Sequence, residues 1–411
     1  MNMNIKRLTA IFITAALLFT LGGCGLVTVI DSDPMHTVGE AETKDKDAVT
    51  ESKPDNDTEP EKEPEPLDTT VTISMVGDIL LHERVYESGD MGDGTYNYDH
   101  FFANVRDEIE AADIAIVNQE VILGGRDIGL SGYPSFNGAF EVGDAIADAG
   151  FDIVLHATNH TIDRGSQAVR NCLNFWETEH PEIAVLGIHG SAEDQSNIYV
   201  REENGIKITF LNYTYGTNGI SIPSDMPYCV DLLERDRLVN DIAKAEEMAD
   251  FTVVLPHWGT EYVLEPDADQ EYWTQIMFDC GVDLVIGTHP HVIEPVEMIE
   301  TEEHSMLVYY SIGNFINSTA QSGSGIANRM VGGMANITLD RDENGEVYIK
   351  DYGVTPLVTH VLTGRGLITT HLLSEYTEEL AKENEIISQD SAFSLAYCLD
   401  LVKKVFGDTY E

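Results

Sequence analysis

Short apolar runs alternate with polar, helix-periodic stretches through most of the chain. Val71–Val76, Asp113–Val117, Phe151–Leu155, Ile183–Leu186, 206–213, Phe251–Leu255, Val282–Ile286 and Ser305–Tyr310 each read as a strand. Between them, Phe102, Val105 and Ile109 recur at helical spacing within Phe101–Ala112. Phe140–Ala149 reads as a helix stopped by Gly150, and Gln167–Glu177 and Gln270–Cys280 as further helices. Residues 229–249, with Leu232, Leu233, Leu238, Ile242 and Ala245, predict one long helix. Strands that alternate with helices imply an α/β architecture. Residues 331–339, 345–351 and 354–362 read as antiparallel strands, with a turn at Asp342-Glu343-Asn344-Gly345. The folded domain is expected over 70–365, followed by a mostly helical C-terminal extension, 366–411.

The polar residues between these elements are not scattered. Asp78 follows the first strand and a Gly, and Glu120 follows the second strand within Asn118-Gln119-Glu120. Asn159 and His160 follow the third, in the polar run His156–Gly165. His257 ends the strand Phe251–Leu255, and Gly287-Thr288-His289-Pro290-His291 ends Val282–Ile286. His289 and His291 are two residues apart, so in an extended segment both rings point the same way. Ligands in open α/β sheets gather beyond the carboxyl ends of strands. Core packing does not require polar side chains at the same end of successive strands. Residues 124–138 are Gly-rich and irregular and read as a loop beside such a site.

Asp, Glu, Asn and three His offer hard oxygen and borderline nitrogen ligands without thiolate. That set suits Mn, Zn or Fe, singly or as a pair. A pair of divalent ions can hold a phosphate or carbonyl oxygen and activate a bridging water. Glu120 could bridge the two, and Asn159 could ligate through its amide oxygen. His160 could protonate a leaving group, with Asp163 orienting its ring.

Charge narrows the choice of partner. With 72 Asp and Glu against 23 Lys and Arg, the net charge is −49. That argues against nucleic acid, which requires basic surface. The N-terminus is a targeting segment: Lys6 and Arg7 precede the apolar stretch Leu8–Thr20, too short for a membrane span. It ends Leu21-Gly22-Gly23-Cys24, which resembles the lipobox of bacterial lipoproteins. The expectation is a signal peptide over 1–23, lipidation at Cys24 and attachment to the extracytoplasmic face of the cell membrane. Residues 24–69, dominated from Asp31 onward by Asp, Glu, Lys, Pro and Thr, are expected to form a disordered acidic tether. Cys172, Cys229, Cys280 and Cys398 are widely spaced without a CxxC pair, so isolated thiols are expected.

Gly77-Asp78, Asn118-Gln119-Glu120, Asn159-His160 with Asp163 and Gly165, His257-Trp258-Gly259 with Glu261, Gly287-Thr288-His289-Pro290-His291 and Ser311-Ile312-Gly313-Asn314-Phe315 together resemble the motifs of the CapA family. These are poly-γ-glutamate capsule biosynthesis proteins with a calcineurin-like metallophosphoesterase fold. The resemblance covers about residues 70–320 and implies a four-layer α/β/β/α sandwich. Carried over residue by residue, it makes Asp78, Glu120, Asn159, His257, His289 and His291 metal ligands and His160 the catalytic acid. Two positions depart from the phosphoesterase pattern. The His of the usual Asp-x-His start is met two residues late, as His82, a candidate extra ligand. The bridging Asp is Glu120, one methylene longer. The partners implied are an anionic γ-glutamyl polymer or an envelope phosphoester, the membrane through the lipid, and subunits of a membrane synthase. Three readings stand open: a polymer-processing metal protein, a metal-dependent phosphoesterase without a polymer role, and a non-catalytic synthase subunit.

Overall fold

In chain order the first seven strands are β1 (Val71–Ile79), β2 (Ile114–Asn118), β3 (Ile153–Leu155), β4 (Ala184–Leu186), β5 (Tyr199–Glu203), β6 (Ile206–Thr214) and β7 (Phe251–His257). Then follow β8 (Leu284–Ile286), β9 (Val296–Glu300), β10 (Ser305–Tyr309), β11 (Asn314–Ile316), β12 (Val331–Arg341), β13 (Val347–Val361) and β14 (Ile368–Leu372). They come from a computed structural model that describes residues 69–364, 366–407 and 409–410. The leader, Cys24 and the acidic tether up to residue 68 lie outside the described residues. Among the described residues no helix is long and apolar enough to cross a membrane.

The strands form two sheets. One has the order β14-β13-β12-β1-β2-β3-β4, with β11 also paired to β1; the other runs β5-β6-β7-β8-β10-β9. Pairing is parallel from β1 through β4 and from β6 through β8 to β10. Parallel strands are buried on both faces, which is why these runs are almost uninterruptedly apolar.

Side-chain alternation shows how the layers stack. Val253 and Leu255 of β7, Leu284 and Ile286 of β8, and Leu307 and Tyr309 of β10 join Ile73, Ile116 and Ile153 of the first sheet in one core. The residues between them, Val254, Val285, Met306 and Val308, turn the other way. They pack on Leu238, Ile242 and Ala245 of the helix Arg235–Met248 and on Ile276 and Met277 of the helix Ala268–Asp279. The helices Phe140–Asp148 and Gly165–Glu179 contribute Val142, Ile146, Val169 and Phe175 to the first core. The result is the expected α/β/β/α sandwich, with the strands' period of two dividing one sequence between two cores.

Three elements differ from the sequence expectation. The helix expected over 229–249 begins at Arg235. Val230 and Leu232 instead form bridges with Ile188 and Thr214, so their apolar character serves extended chain. The strands expected at 345–351 and 354–362 are one, β13, whose outer half is largely solvent-exposed and so lacks an apolar signature at 350–353. Residues 366–411 are not purely helical, because β14 extends the first sheet. The helix Leu395–Phe406 sends Cys398, Leu401, Val402 and Phe406 into the main core. Cys172, Cys229, Cys280 and Cys398 are free thiols, and all but Cys280 are buried.

Candidate metal centre

The carboxyl ends of β1, β2, β3, β7 and β8 converge. Asp78 sits opposite Asn314 of β11 on one side and Asn118 of β2 on the other. Register shifts beside Asp78 in both pairings bend β1 where its carboxylate must leave the sheet. Gly77 makes that bend possible: a Cβ there would lie 1.9 Å from the Gly313 carbonyl oxygen. Gly287 is constrained in the same way, 2.1 Å from the Tyr310 carbonyl oxygen.

Two donor groups form around one residue. Asp78, Glu120 and His291 bring ligand atoms within 4.8 Å of one another, as do Glu120, His257 and His289. Glu120 belongs to both. It is fully buried, and neither of its oxygens has a hydrogen-bond partner. One oxygen lies 3.7 Å from His291 Nε2, 3.8 Å from His257 Nε2 and 3.8 Å from His160 Nε2. His289 Nδ1, also buried, has no partner either. Buried polar atoms are normally paired, so this concentration of orphaned donor atoms marks a place built for something else. A third group adds Glu261, which is exposed, to His289 and His291.

The surrounding hydrogen bonds fix the rings. His291 Nδ1 lies 3.0 Å from Asn314 Oδ1 and 3.2 Å from Asp78 Oδ2, which leaves Nε2 toward Glu120. His257 Nδ1 is 3.0 Å from Thr288 Oγ1, and its Nε2 is 3.0 Å from Asn159 Oδ1. Asn118 Nδ2 donates to Asp78 Oδ1 at 2.7 Å. Such outer partners set tautomer and orientation in metal sites.

Electrostatics point the same way. Burial pushes Glu120 well above the usual carboxylate range; Asp78, Glu261 and Asp163 add to this and His291 opposes it. Burial, then neighbouring imidazoles, push His257 and His289 well below 6.5, so both keep free lone pairs. Burial works against protonation of His291 too, but Glu120 and Asp78 outweigh it and lift it to about 9. Glu120 and His291 thus each lean toward the protonated form, held there by burial on one side and by neighbouring carboxylates on the other. The donor set and the orphaned atoms fit divalent cations.

His160 and Asp163 lie at the edge of this cluster, His160 Nδ1 being 2.7 Å from Asp163 Oδ2. The same Asp163 oxygen accepts the Phe136 N–H at 2.8 Å, so the Gly-rich 124–138 segment holds Asp163 in place. His156, from the same polar run as His160, turns away and accepts from Trp176 Nε1. His82 is not among the ligand-competent groups. It is half-buried with its ring edge-on to Phe136 at 5.3 Å, and burial, then His291, His160 and Arg329, lower it to about 4.

Sequence reasoning did not single out several residues that complete the site. Asn218 Oδ1 accepts from Asn159 Nδ2 at 3.3 Å, and its amide lies 3.5 Å from His160 Nδ1. Tyr215 packs on His289 and Tyr262 on His291. His289, His291, Tyr262 and Asn218 all have positive φ, and among the described non-Gly residues only Asn204 shares that trait. Left-handed backbone at such residues carries strain and gathers at functional sites. Only the Asn at 218 hinted at it in sequence.

Residues 72–319 match the family model of the bacterial capsule synthesis protein PGA_cap. Two curated relatives are similar. The capsule biosynthesis protein CapA of Bacillus anthracis is 27% identical over 261 residues, 60% of this chain and 59% of that protein. The PGA biosynthesis protein CapA of Bacillus subtilis is 28% identical over 172 residues, 42% of this chain and 44% of that one. The chain thus spans less than two thirds of the length of either relative. Among solved structures, a putative 5'-nucleotidase from Staphylococcus aureus superposes with a TM-score of 0.44 at 14% identity, covering 70% of this chain and 54% of that one. A 5'-nucleotidase precursor from Thermus thermophilus gives a TM-score of 0.41 at 14% identity, covering 81% and 59%. The family model takes in more than half of the chain and every ligand-competent residue from Asp78 to His291, and the chain belongs to the bacterial capsule synthesis protein PGA_cap family.

Proposed function

We propose that this chain acts in capsule synthesis as a divalent-cation protein that handles an anionic γ-glutamyl polymer at the outer face of the cell membrane, in its synthesis, export or trimming. The observation that carries the reading is Glu120, buried with two unpartnered oxygens between His257 and His291. The two relatives named for capsule and PGA biosynthesis support the polymer assignment. The leader ending in Cys24 supports the lipid anchor.

Asp78, Glu120 and His291 would hold one cation, and Glu120, His257 and His289, with the Asn159 amide oxygen, a second. When bound, such a pair supplies Lewis-acid polarisation and a nucleophilic water at neutral pH. The rest falls to the protein. Asp163 holds the His160 ring through Nδ1, and Nε2 faces Glu120, the position from which a proton passes to a leaving group. Asn218 steadies Asn159 and His160 together. In a chain of net charge −49, cations at this site would also offset repulsion of a polyanion.

The His160–Asp163 pair favours a hydrolytic variant of the same reading, cleavage of a phosphoester in the cell envelope. The deciding experiment compares cells whose only copy of the chain is wild type or Glu120→Gln, matched in amount. Surface γ-glutamyl polymer is expected to fall to background with the variant. Wild-type polymer levels from Glu120→Gln would overturn the proposal.

A further inference from the structure

Arg329 is the one buried arginine among the described residues. Arg84, Arg106, Arg126, Arg170, Arg201, Arg237 and Arg341 each pair with a carboxylate, whereas Arg235 is exposed and the half-buried Arg164 is held by the Ser131 hydroxyl and the Ile128 carbonyl. Arg329 is only 8% exposed, yet among the described residues no carboxylate pairs with it. Its one side-chain hydrogen bond runs from Nη2 to the neutral Gln321 Oε1 at 2.9 Å, and its buried Nε has no partner. The guanidinium lies 3.4 Å over the Tyr262 ring. A buried cation without a carboxylate in contact is costly to keep. In a chain with 72 acidic residues, a partner would be easy to supply.

Its position says what the unpaired charge serves. Tyr262, on which Arg329 stacks, packs on His291 with ring centres 5.9 Å apart. Asn314 Nδ2 donates to the carbonyls of both His291 and Arg329, each at 3.0 Å, so one side chain ties the arginine to the metal centre. Gln321, which holds the guanidinium, is itself anchored by the Thr319 hydroxyl at 3.1 Å. Thr319 and Ser318 wall a cleft of about 640 Å³ whose other side includes His82, Tyr133 and Arg164. The C-terminal residues brace this strap: Gln389 donates to the Thr319 carbonyl, Tyr397 to Asn328, and Asp390 accepts the Ala327 N–H at 3.2 Å. Arg329 lies beyond the span that matches the family model.

We propose that Arg329 is a specificity residue that receives an anionic group of the substrate, a carboxylate or a phosphoryl, and that the adjoining cleft takes the chain carrying that group. The assignment rests on the metal-centre reading above and deepens it. A guanidinium fork binds either anion through paired, charge-assisted hydrogen bonds. With Nε unpartnered and Nη2 held by a neutral amide, the fork is pre-set; Glu261 acts on it only from a distance, so the contacting counter-charge is left for the ligand to bring.

The test is calorimetric titration of the full protein with inorganic phosphate and, separately, with a γ-glutamyl-glutamate dipeptide. Wild type, Arg329→Gln and Arg329→Lys are compared, each metal-loaded and chelator-treated, with metal content measured in parallel. Wild type is expected to bind at least one probe. Arg329→Gln should weaken that binding about tenfold or more at unchanged metal content, and Arg329→Lys, which keeps the charge and loses the fork, should fall between. Preference for the dipeptide assigns the seat to a polymer carboxylate, and preference for phosphate to a phosphoester. Should Arg329→Gln not fold, Arg329→Lys carries the test. Wild-type affinity for both anions in the folded variants, or no binding of either by wild type, overturns the proposal. If the protein takes up no metal, the metal-centre reading fails on its own, and the chelator-treated arm still tests Arg329.

Discussion

Asn314 grips His291 from two sides: its Oδ1 lies 3.0 Å from His291 Nδ1, and its Nδ2 donates to the His291 carbonyl at 3.0 Å. The first contact fixes the tautomer, and the second holds a backbone whose φ is +57°. Asn314→Ala should therefore weaken divalent-cation affinity about 10- to 100-fold. Competition against a chelator measures this. Unchanged affinity in a folded Asn314→Ala would show that the ring is held by other means.

Gly77 has no room for a side chain, since its Cβ position is 1.9 Å from a backbone oxygen that cannot swing aside. Gly77→Ala is expected to destabilise the fold by about 3 kcal/mol or more, the upper end of overpacking costs. Urea unfolding reads that loss directly. Because β1 must shift, Asp78 moves with it, and cation binding should weaken in any Gly77→Ala that still folds.

Asp283 offers a pH signature away from the centre. Burial pushes its carboxyl up to about 7; the Thr252 N–H, donating at 2.8 Å, pulls down, and Glu246 adds to the rise. The unfolded chain has an ordinary value of about 3.9. Between those values the folded state binds the proton more tightly, so stability falls as pH rises from about 4 to 7 and levels above. Asp283→Asn keeps an acceptor for Thr252 and should remove a decline of ~2–4 kcal/mol from the wild-type profile. Melting curves of both proteins across that range test it, and parallel profiles would refute it.

His160 and Asp163 separate chemistry from cation binding. His160→Gln is expected to retain the full cation complement and lose about 100-fold or more in turnover of any ester the wild type cleaves. Metal analysis beside a phosphodiesterase assay distinguishes this from a ligand role, in which both would fall.

The site was legible in sequence where the fold is simplest. Asp78, Glu120, Asn159, His257, His289 and His291 lie at or just past the carboxyl ends of buried parallel strands, whose apolar runs make the polar residues that close them conspicuous. The sandwich brings those six together because both sheets direct their parallel strands at one place. Asn218 and Tyr262 were not legible, since their place in the site depends on left-handed backbone in loops without periodicity. Arg329 carries no signal in sequence, sitting in the short turn Ile326–Met330 after a Gly- and Ser-rich stretch. Its burial is created by Tyr262, distant from it in sequence, by Gln321 and by the C-terminal residues that brace the strap. The overlong helix at 229–249 has a comparable cause: Leu232 is apolar because it is held beside Thr214, not because it repeats every turn.

The most direct test of the account is the metal content of the purified protein after reconstitution with Mn²⁺ or Zn²⁺, wild type beside Glu120→Gln and His289→Ala. Glu120 is shared by two donor groups, so about two ions per chain are expected in wild type and nearly none in Glu120→Gln. His289→Ala, which leaves the Asp78–Glu120–His291 group intact, should keep about one. A folded wild-type protein that stays metal-free, or a Glu120→Gln that binds as wild type does, would contradict it.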